Sequence, residues 1–170
     1  MADKRLAERA GEALKARGWM FCAAESCTGG LLTHELTNIA GSSAYVIGGI
    51  VAYSYEAKER LLNVRHDTLT QYGAVSEQTA LEMVQGVLAA LDGDIGISIT
   101  GIAGPGGGMP NKPVGLTYIA IAVPSLGILR VDRHVWSGDR ETIKACSATE
   151  ALHKILVVAE NGYQANAENC

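Results

Sequence analysis

The stretch from Trp19 to Leu36 constrains the fold more than any other part of the chain. Trp19-Met20-Phe21-Cys22-Ala23 is an apolar run that reads as a buried strand, and Leu31-Leu32-Thr33-His34-Glu35-Leu36 reads as the opening turns of a helix. Between them lies Ala24-Glu25-Ser26-Cys27-Thr28-Gly29-Gly30. A hydroxyl, a thiol and two glycines therefore occupy a strand-to-helix handover, where a nucleophile and backbone N–H donors can be gathered in one place. The same residues have a plainer use: Ser26 or Thr28 can cap the helix while the glycines turn the chain. Both readings stand on this segment alone.

The rest of the pattern extends that unit into a layered domain. Leu6, Ala10, Ala13 and Leu14 share a helical face that Gly18 ends, and the spacing predicts a strand over 19–24 and a helix over about 28–38. A second strand spans 46–53 with Gly48-Gly49 inside it, where a backbone or ligand is expected to come close. Short helices follow over 55–62 and 66–72. A longer one begins after Ser76, a good N-cap, with Ala80, Met83, Val84, Val87, Leu88 and Leu91 at helical spacing. Residues 94–100 alternate, with Ile95, Ile97 and Ile99 on one face and Gly96, Ser98 and Thr100 on the other. Strands over 115–123 and 128–136 form a hairpin through Pro124-Ser125-Leu126-Gly127, with Arg130, Asp132 and His134 expected to point outward. Asp139 caps a final helix, and the tail after Asn161 is expected to fray. Helices between the early strands require crossovers, and the late hairpin adds antiparallel pairing. The expectation is a single domain over 1–165 of the α/β class: three layers, α/β/α, around a mixed, mostly parallel five-stranded sheet.

Composition narrows the function. The 170 residues carry a net charge of −4 and no basic run, so a nucleic-acid groove is not expected. No apolar run approaches the roughly 20 residues of a membrane span, and the N-terminus does not read as a signal peptide. Cys22, Cys27, Cys146 and Cys170 show no C-x-x-C spacing, which suits reduced thiols in a cytoplasm. The four histidines are scattered, and no zinc spacing is legible.

Three further segments carry chemistry. Thr100-Gly101-Ile102-Ala103-Gly104-Pro105-Gly106-Gly107-Gly108 follows a strand, matches no dinucleotide or Walker motif, and can form an anion nest. Pro105, Lys112 and Pro113 argue for a stiff binding loop over a loose connection. Tyr53-Ser54-Tyr55-Glu56-Ala57-Lys58 puts a tyrosine at a strand end and a lysine on the next helix. A lysine is ordinarily a solvated charge, but desolvation turns it into a base, and a Ser/Lys pair needs neither histidine nor metal. Arg140 follows Gly138-Asp139 at a helix start, where the dipole disfavours a cation, and this points to an anionic partner.

Taken in order, A-E-S-C-T-G-G, G-S-S, Y-S-x-x-x-K, G-x-V-S, T-G-I-A-G-P-x-G-G, K-P-V-G and G-D-R resemble the CinA C-terminal domain family, over residues 4 to about 160. Its stand-alone members are nicotinamide-nucleotide amidases, and the resemblance implies hydrolysis of nicotinamide mononucleotide to nicotinic acid mononucleotide and ammonia, with no metal or cofactor. Carried over by position, Ser26 is the nucleophile, Lys58 its base and Tyr53 a positioning or relay group. Ser43, Thr100 and Gly101 build the amide pocket, with Ser43 an alternative nucleophile. Gly104, Gly106 and Lys112 belong to the ligand loop, and Arg140 serves the phosphate or the pyridine surroundings. Gly29, Gly30 or Gly101 would supply oxyanion N–H groups. Two positions depart from the family pattern: Tyr55, where Asn is common, and Lys144, where Arg is common. A cytoplasmic homodimer acting on a small nucleotide is expected. A catalytically silent nucleotide-binding domain and an amidohydrolase for another carboxamide are the competing readings.

Overall fold

The structure, a computed structural model, describes residues 4–161. The tail after Asn161, Cys170 and the far end of the expected domain lie outside the described residues. In chain order the elements are α1 (Lys4–Arg17), β1 (Phe21–Glu25), α2 (Leu31–Thr37), a 3-10 turn (Ser42–Ala44), β2 (Val46–Val51), α3 (Tyr55–Leu62), α4 (His66–Tyr72) and α5 (Glu77–Leu91). Then follow β3 (Ile95–Gly101), β4 (Leu116–Val123), a second 3-10 turn (Pro124–Leu126), β5 (Ile128–Val135) and α6 (Arg140–Asn161).

The five strands lie in the order β2-β1-β3-β4-β5. β1 pairs parallel with β2 and β3, while β3–β4 and β4–β5 are antiparallel, so only β4 runs against the rest. Pairings are therefore evenly split although the direction is mostly common. β1 and β3 are buried by helices on both faces, while β2 at the edge is half exposed. One core joins α1, α2 and α6 to Phe21, Ala23, Ile95, Ile97 and Ile99; the other joins α3, α4 and α5 to Cys22 and Ala24.

The alternation in β3 explains the closeness of the second layer. A Cβ at Gly96 would come within 2.8 Å of Leu88, and the Ser98 hydroxyl donates to the Ala80 carbonyl at 2.6 Å. Small residues on that face let α5 lie against the sheet. α5 presses in turn on α3: a Cβ at Gly86 would stand 1.9 Å from the Leu62 carbonyl oxygen. The close approach expected at Gly48-Gly49 is made by α2, since a Cβ at Gly49 would meet the Thr33 hydroxyl at 2.3 Å.

Three expectations are corrected. β1 starts at Phe21, because the Trp19 N–H closes the end of α1 on the Leu14 carbonyl at 3.0 Å. α2 starts at Leu31, after glycines at φ 65° and 95° that no helix accommodates. Arg130 and Asp132 are exposed as expected, but His134 is half-buried and stacks on Trp136; all three lie on the α6 face, opposite Ile121, Ile119 and Thr117, and Asp132 accepts from Lys154 of α6. No described helix is long and apolar enough to cross a membrane.

Candidate active site

The carboxyl ends of β1, β2 and β3 lie together, and a cavity of about 240 Å³ opens beyond them. Ser26, Cys27, Tyr53, Thr100, Gly101, Gly104, Gly106 and Arg140 line it, with Ala74 and Val75. Crevices at this end of a parallel sheet gather loops from several strands, and this one does so from β1, β2, β3 and the start of α6.

Ser26 directly follows β1. Its N–H is held by the Ile99 carbonyl at 2.9 Å, which continues the β1–β3 pairing by one residue. Its hydroxyl is spared from capping, because Glu25 does that work. The Glu25 carboxylate is buried and accepts from the N–H groups of Gly30 (3.0 Å), Leu32 (3.1 Å) and Thr33 (2.9 Å) and from the Thr33 hydroxyl (2.8 Å). A carboxylate reaching forward from the strand thus satisfies the free donors of α2. Sequence reasoning missed this role, since Glu25 sits five residues before the cap position Gly30. The signal available was a glutamate at the end of an otherwise apolar strand.

Lys58 is fully buried, and its Nζ has three contacts: the Ser26 hydroxyl at 3.0 Å, the Ala52 carbonyl at 2.7 Å and the Tyr53 carbonyl at 3.0 Å. None is a carboxylate. Ser54 brings the lysine inward by capping α3, accepting from the Ala57 N–H at 3.1 Å. Burial without a counter-charge pulls the amine from its ordinary 10.5 down to about 8. In the neutral form two N–H donors serve the two carbonyls, and the lone pair is left for the Ser26 proton.

Tyr53 contributes through its backbone to Lys58, whereas its hydroxyl accepts from Arg140 Nη2 at 3.2 Å. Arg140 Nη1 donates to the Gly104 carbonyl at 2.7 Å, so one guanidinium ties the β2 end to the glycine loop. Thr100 donates to the Ala74 carbonyl at 2.7 Å, while the Ala74 N–H is held by the Tyr55 hydroxyl at 3.2 Å. The departure at Tyr55 therefore fixes the 73–75 wall. Lys112 donates to the Tyr72 carbonyl at 2.6 Å and braces the loop from behind. Lys144 lies over the Ser26 turn, its Nζ 3.8 Å from the place of a Cβ on Gly29.

Two expected contributions are corrected. The N–H groups of Gly29 and Gly30 are already donated, to the Ser26 carbonyl at 3.1 Å and to Glu25. Neither is left for an oxyanion. Ser43 lies in the turn before β2, at the amino end of the sheet and so across its length from the crevice of the same chain. Cys27 lines the crevice, but burial pushes its thiol up to about 12, so it stays protonated beside Ser26.

A buried serine–lysine pair at the carboxyl end of a mixed α/β sheet defines a hydrolase-like site of the nucleophile–base type. The chain belongs to the CinA family: the model of the CinA C-terminal domain matches residues 3–158. A nicotinamide-nucleotide amidohydrolase PncC of Enterobacter agglomerans is 47% identical over 159 residues, covering 92% of this chain and 96% of that protein. The protein of the same name in Escherichia coli K12 is also 47% identical, over 89% of this chain and 91% of its own length. Among solved structures, a competence/damage inducible protein from Agrobacterium tumefaciens superposes with a TM-score of 0.89 at 40% identity, over 92% of this chain and 95% of that one.

Proposed function

We propose that this protein is a nicotinamide-nucleotide amidohydrolase that converts nicotinamide mononucleotide and water into nicotinic acid mononucleotide and ammonia. The observation that carries the mechanism is the 3.0 Å contact between Lys58 Nζ and Ser26 Oγ, with every other direction around the amine taken by neutral backbone oxygens. Similarity to two amidohydrolases of that name over nearly their whole length supports the substrate class.

Neutral Lys58 takes the Ser26 proton as Oγ attacks the carboxamide carbon. The oxyanion is met by backbone N–H groups of the glycine loop that lines the crevice, at Ala103, Gly106 or Gly107, since Gly29 and Gly30 are occupied. Lys58 returns the proton to the leaving nitrogen, and ammonia departs. A water molecule then gives a proton to Lys58 and attacks the acyl-serine, and Lys58 passes that proton to Ser26 Oγ as the acyl–oxygen bond breaks and the acid is released. Arg140 holds Tyr53 and the Gly104 turn in place around the substrate.

The test is ammonia release from nicotinamide mononucleotide and from free nicotinamide, with Ser26→Ala alongside. Release from the mononucleotide alone, abolished in Ser26→Ala with the fold unchanged by circular dichroism, is expected. Binding without release would make this a regulatory nucleotide domain. Undiminished turnover in Ser26→Ala would remove Ser26 as nucleophile.

A further inference from the structure

We propose that Lys144 is the specificity-determining cation of the crevice, the group that takes the phosphate of a 5′-mononucleotide while its carboxamide lies against Ser26; this rests on the amidase reading. Of the cations in or beside the crevice, Lys58, Arg140 and Lys112 are already committed. Lys58 Nζ is held by the Ser26 hydroxyl and two backbone carbonyls. Arg140 divides its guanidinium between the Gly104 carbonyl and the Tyr53 hydroxyl. Lys112 donates to the Tyr72 carbonyl, behind the glycine loop. Lys144 has neither a hydrogen bond nor an ion pair among the described residues.

An unpaired amine is out of place there. Lys144 is half-buried on the second turn of α6, four residues after Arg140 and so on the same helix face. Like charges at that spacing repel, and the positive end of a helix disfavours both. Nothing in the described fold offsets that repulsion at Lys144, so its charge is better matched by an anion that arrives than by one already present.

The amine stands at the turn that carries the nucleophile. The Gly29 N–H bonds the Ser26 carbonyl at 3.1 Å, which makes Ser26–Gly29 a tight turn whose end Cα atoms lie within about 7 Å of each other. Lys144 Nζ is 3.8 Å from the place of a Cβ on Gly29, and apart from the chain neighbours of Gly29 nothing else comes within 4 Å of that place. Its charge also reaches Cys27, which lines the crevice: it draws the thiol downward, against the burial that dominates there. One end of the turn thus presents the nucleophile and the other a free ammonium. In a mononucleotide the ring amide and the phosphate are set apart by a ribose, a spacer of that order. A phosphate monoester carries a charge of about −1.5 to −2 at pH 7 and bonds most strongly to a cationic donor. A nucleoside has no such group and gains nothing from Lys144.

Nicotinamide mononucleotide and nicotinamide riboside share ring, amide and ribose and differ only in the phosphate, so the pair isolates this contact. The wild type should prefer the mononucleotide in kcat/KM. In Lys144→Met, which keeps an unbranched stem in the half-buried slot, that preference should fall by about tenfold or more, through KM and not through kcat. Lys144→Arg, which keeps the charge, should retain most of it. A Lys144 that only props the Ser26 turn would slow both substrates alike. A preference that survives in Lys144→Met, or fails equally in Lys144→Arg, overturns the proposal. Should Lys144→Met not fold, Lys144→Gln carries the same expectations. Calorimetry tells the two possible failures apart. Ser26→Ala, which consumes neither compound, should bind the mononucleotide about tenfold or more tighter than the riboside, and adding Lys144→Met should bring the two together. A wild type that releases no ammonia from the mononucleotide, with that binding difference intact, would overturn the amidase reading and leave Lys144 as the phosphate ligand. No preference for the mononucleotide in the binding by Ser26→Ala overturns the role of Lys144.

Discussion

In the proposed mechanism Lys58 is the base, and the hydrogen-bond partners of its Nζ are all neutral. An amine held at about 8 is neutral in roughly a tenth of molecules at pH 7, against well under one in a thousand for a solvated lysine. The hydrolysis rate at low substrate should therefore rise about tenfold per pH unit below 8 and level off above it. In Lys58→Met both the rate and this limb should vanish; a variant that kept the limb would show that another group is the base. Glu25 caps α2, which leaves the Ser26 hydroxyl to Lys58. Glu25→Gln leaves a single acceptor oxygen and turns an NH2 toward N–H donors. It should cost about 1–3 kcal/mol in urea unfolding and slow turnover by loosening the Ser26 turn. An unchanged midpoint and rate would show that the cap is dispensable.

At the scale of elements, Lys58 is placed by α3, α3 by α5, and α5 by the small face of β3. Gly86→Ala would drive a Cβ into the Leu62 carbonyl at the end of α3. A loss of about 1–3 kcal/mol is expected, with a fall in activity at temperatures where the variant is still folded; equal stability would mean that α3 has room to shift. The glycine loop is held by a fork, since Arg140 binds both Gly104 and Tyr53. Arg140→Ala should raise KM severalfold, and Arg140→Lys should restore little, because one ammonium cannot span both partners. These elements were legible in the sequence where the information is local: the Ile95–Ile99 alternation, the caps at Ser76 and Asp139, and the strand–turn–helix around Ser26. What escaped depends on long-range geometry. Glu25 reaches across a turn to its donors, β5 turns Arg130 and Asp132 toward α6, and strand direction alone puts Ser43 at the far end from Ser26. The serine–lysine pair was legible as chemistry, while its 3.0 Å closeness required the β1–β2 pairing that brings the ends of those strands together.

For the whole molecule, a buried base without a counter-charge leaves a signature in stability. The native state holds the Lys58 amine at about 8, and the unfolded chain holds it near 10.5. Below pH 8 both states are protonated and the native state bears the full penalty, about 3 kcal/mol. Between the two values the unfolded chain binds a proton that the native state lacks, so this contribution to stability rises with pH. The thiols act in the opposite sense. Cys22 and Cys27 are pushed up from 9 to about 12, so the native state keeps protons that the unfolded chain loses, and stability falls from about pH 9 upward. Wild type and Lys58→Met share the thiols, and their difference isolates the amine. Urea unfolding of both at pH 7 and pH 9.5 should show the wild type gaining about 2 kcal/mol relative to the variant, whatever the absolute stability of either. A difference that stays flat across that range would mean that the amine is charged in the native state at pH 9.5, and a charged Lys58 could not be the base for Ser26.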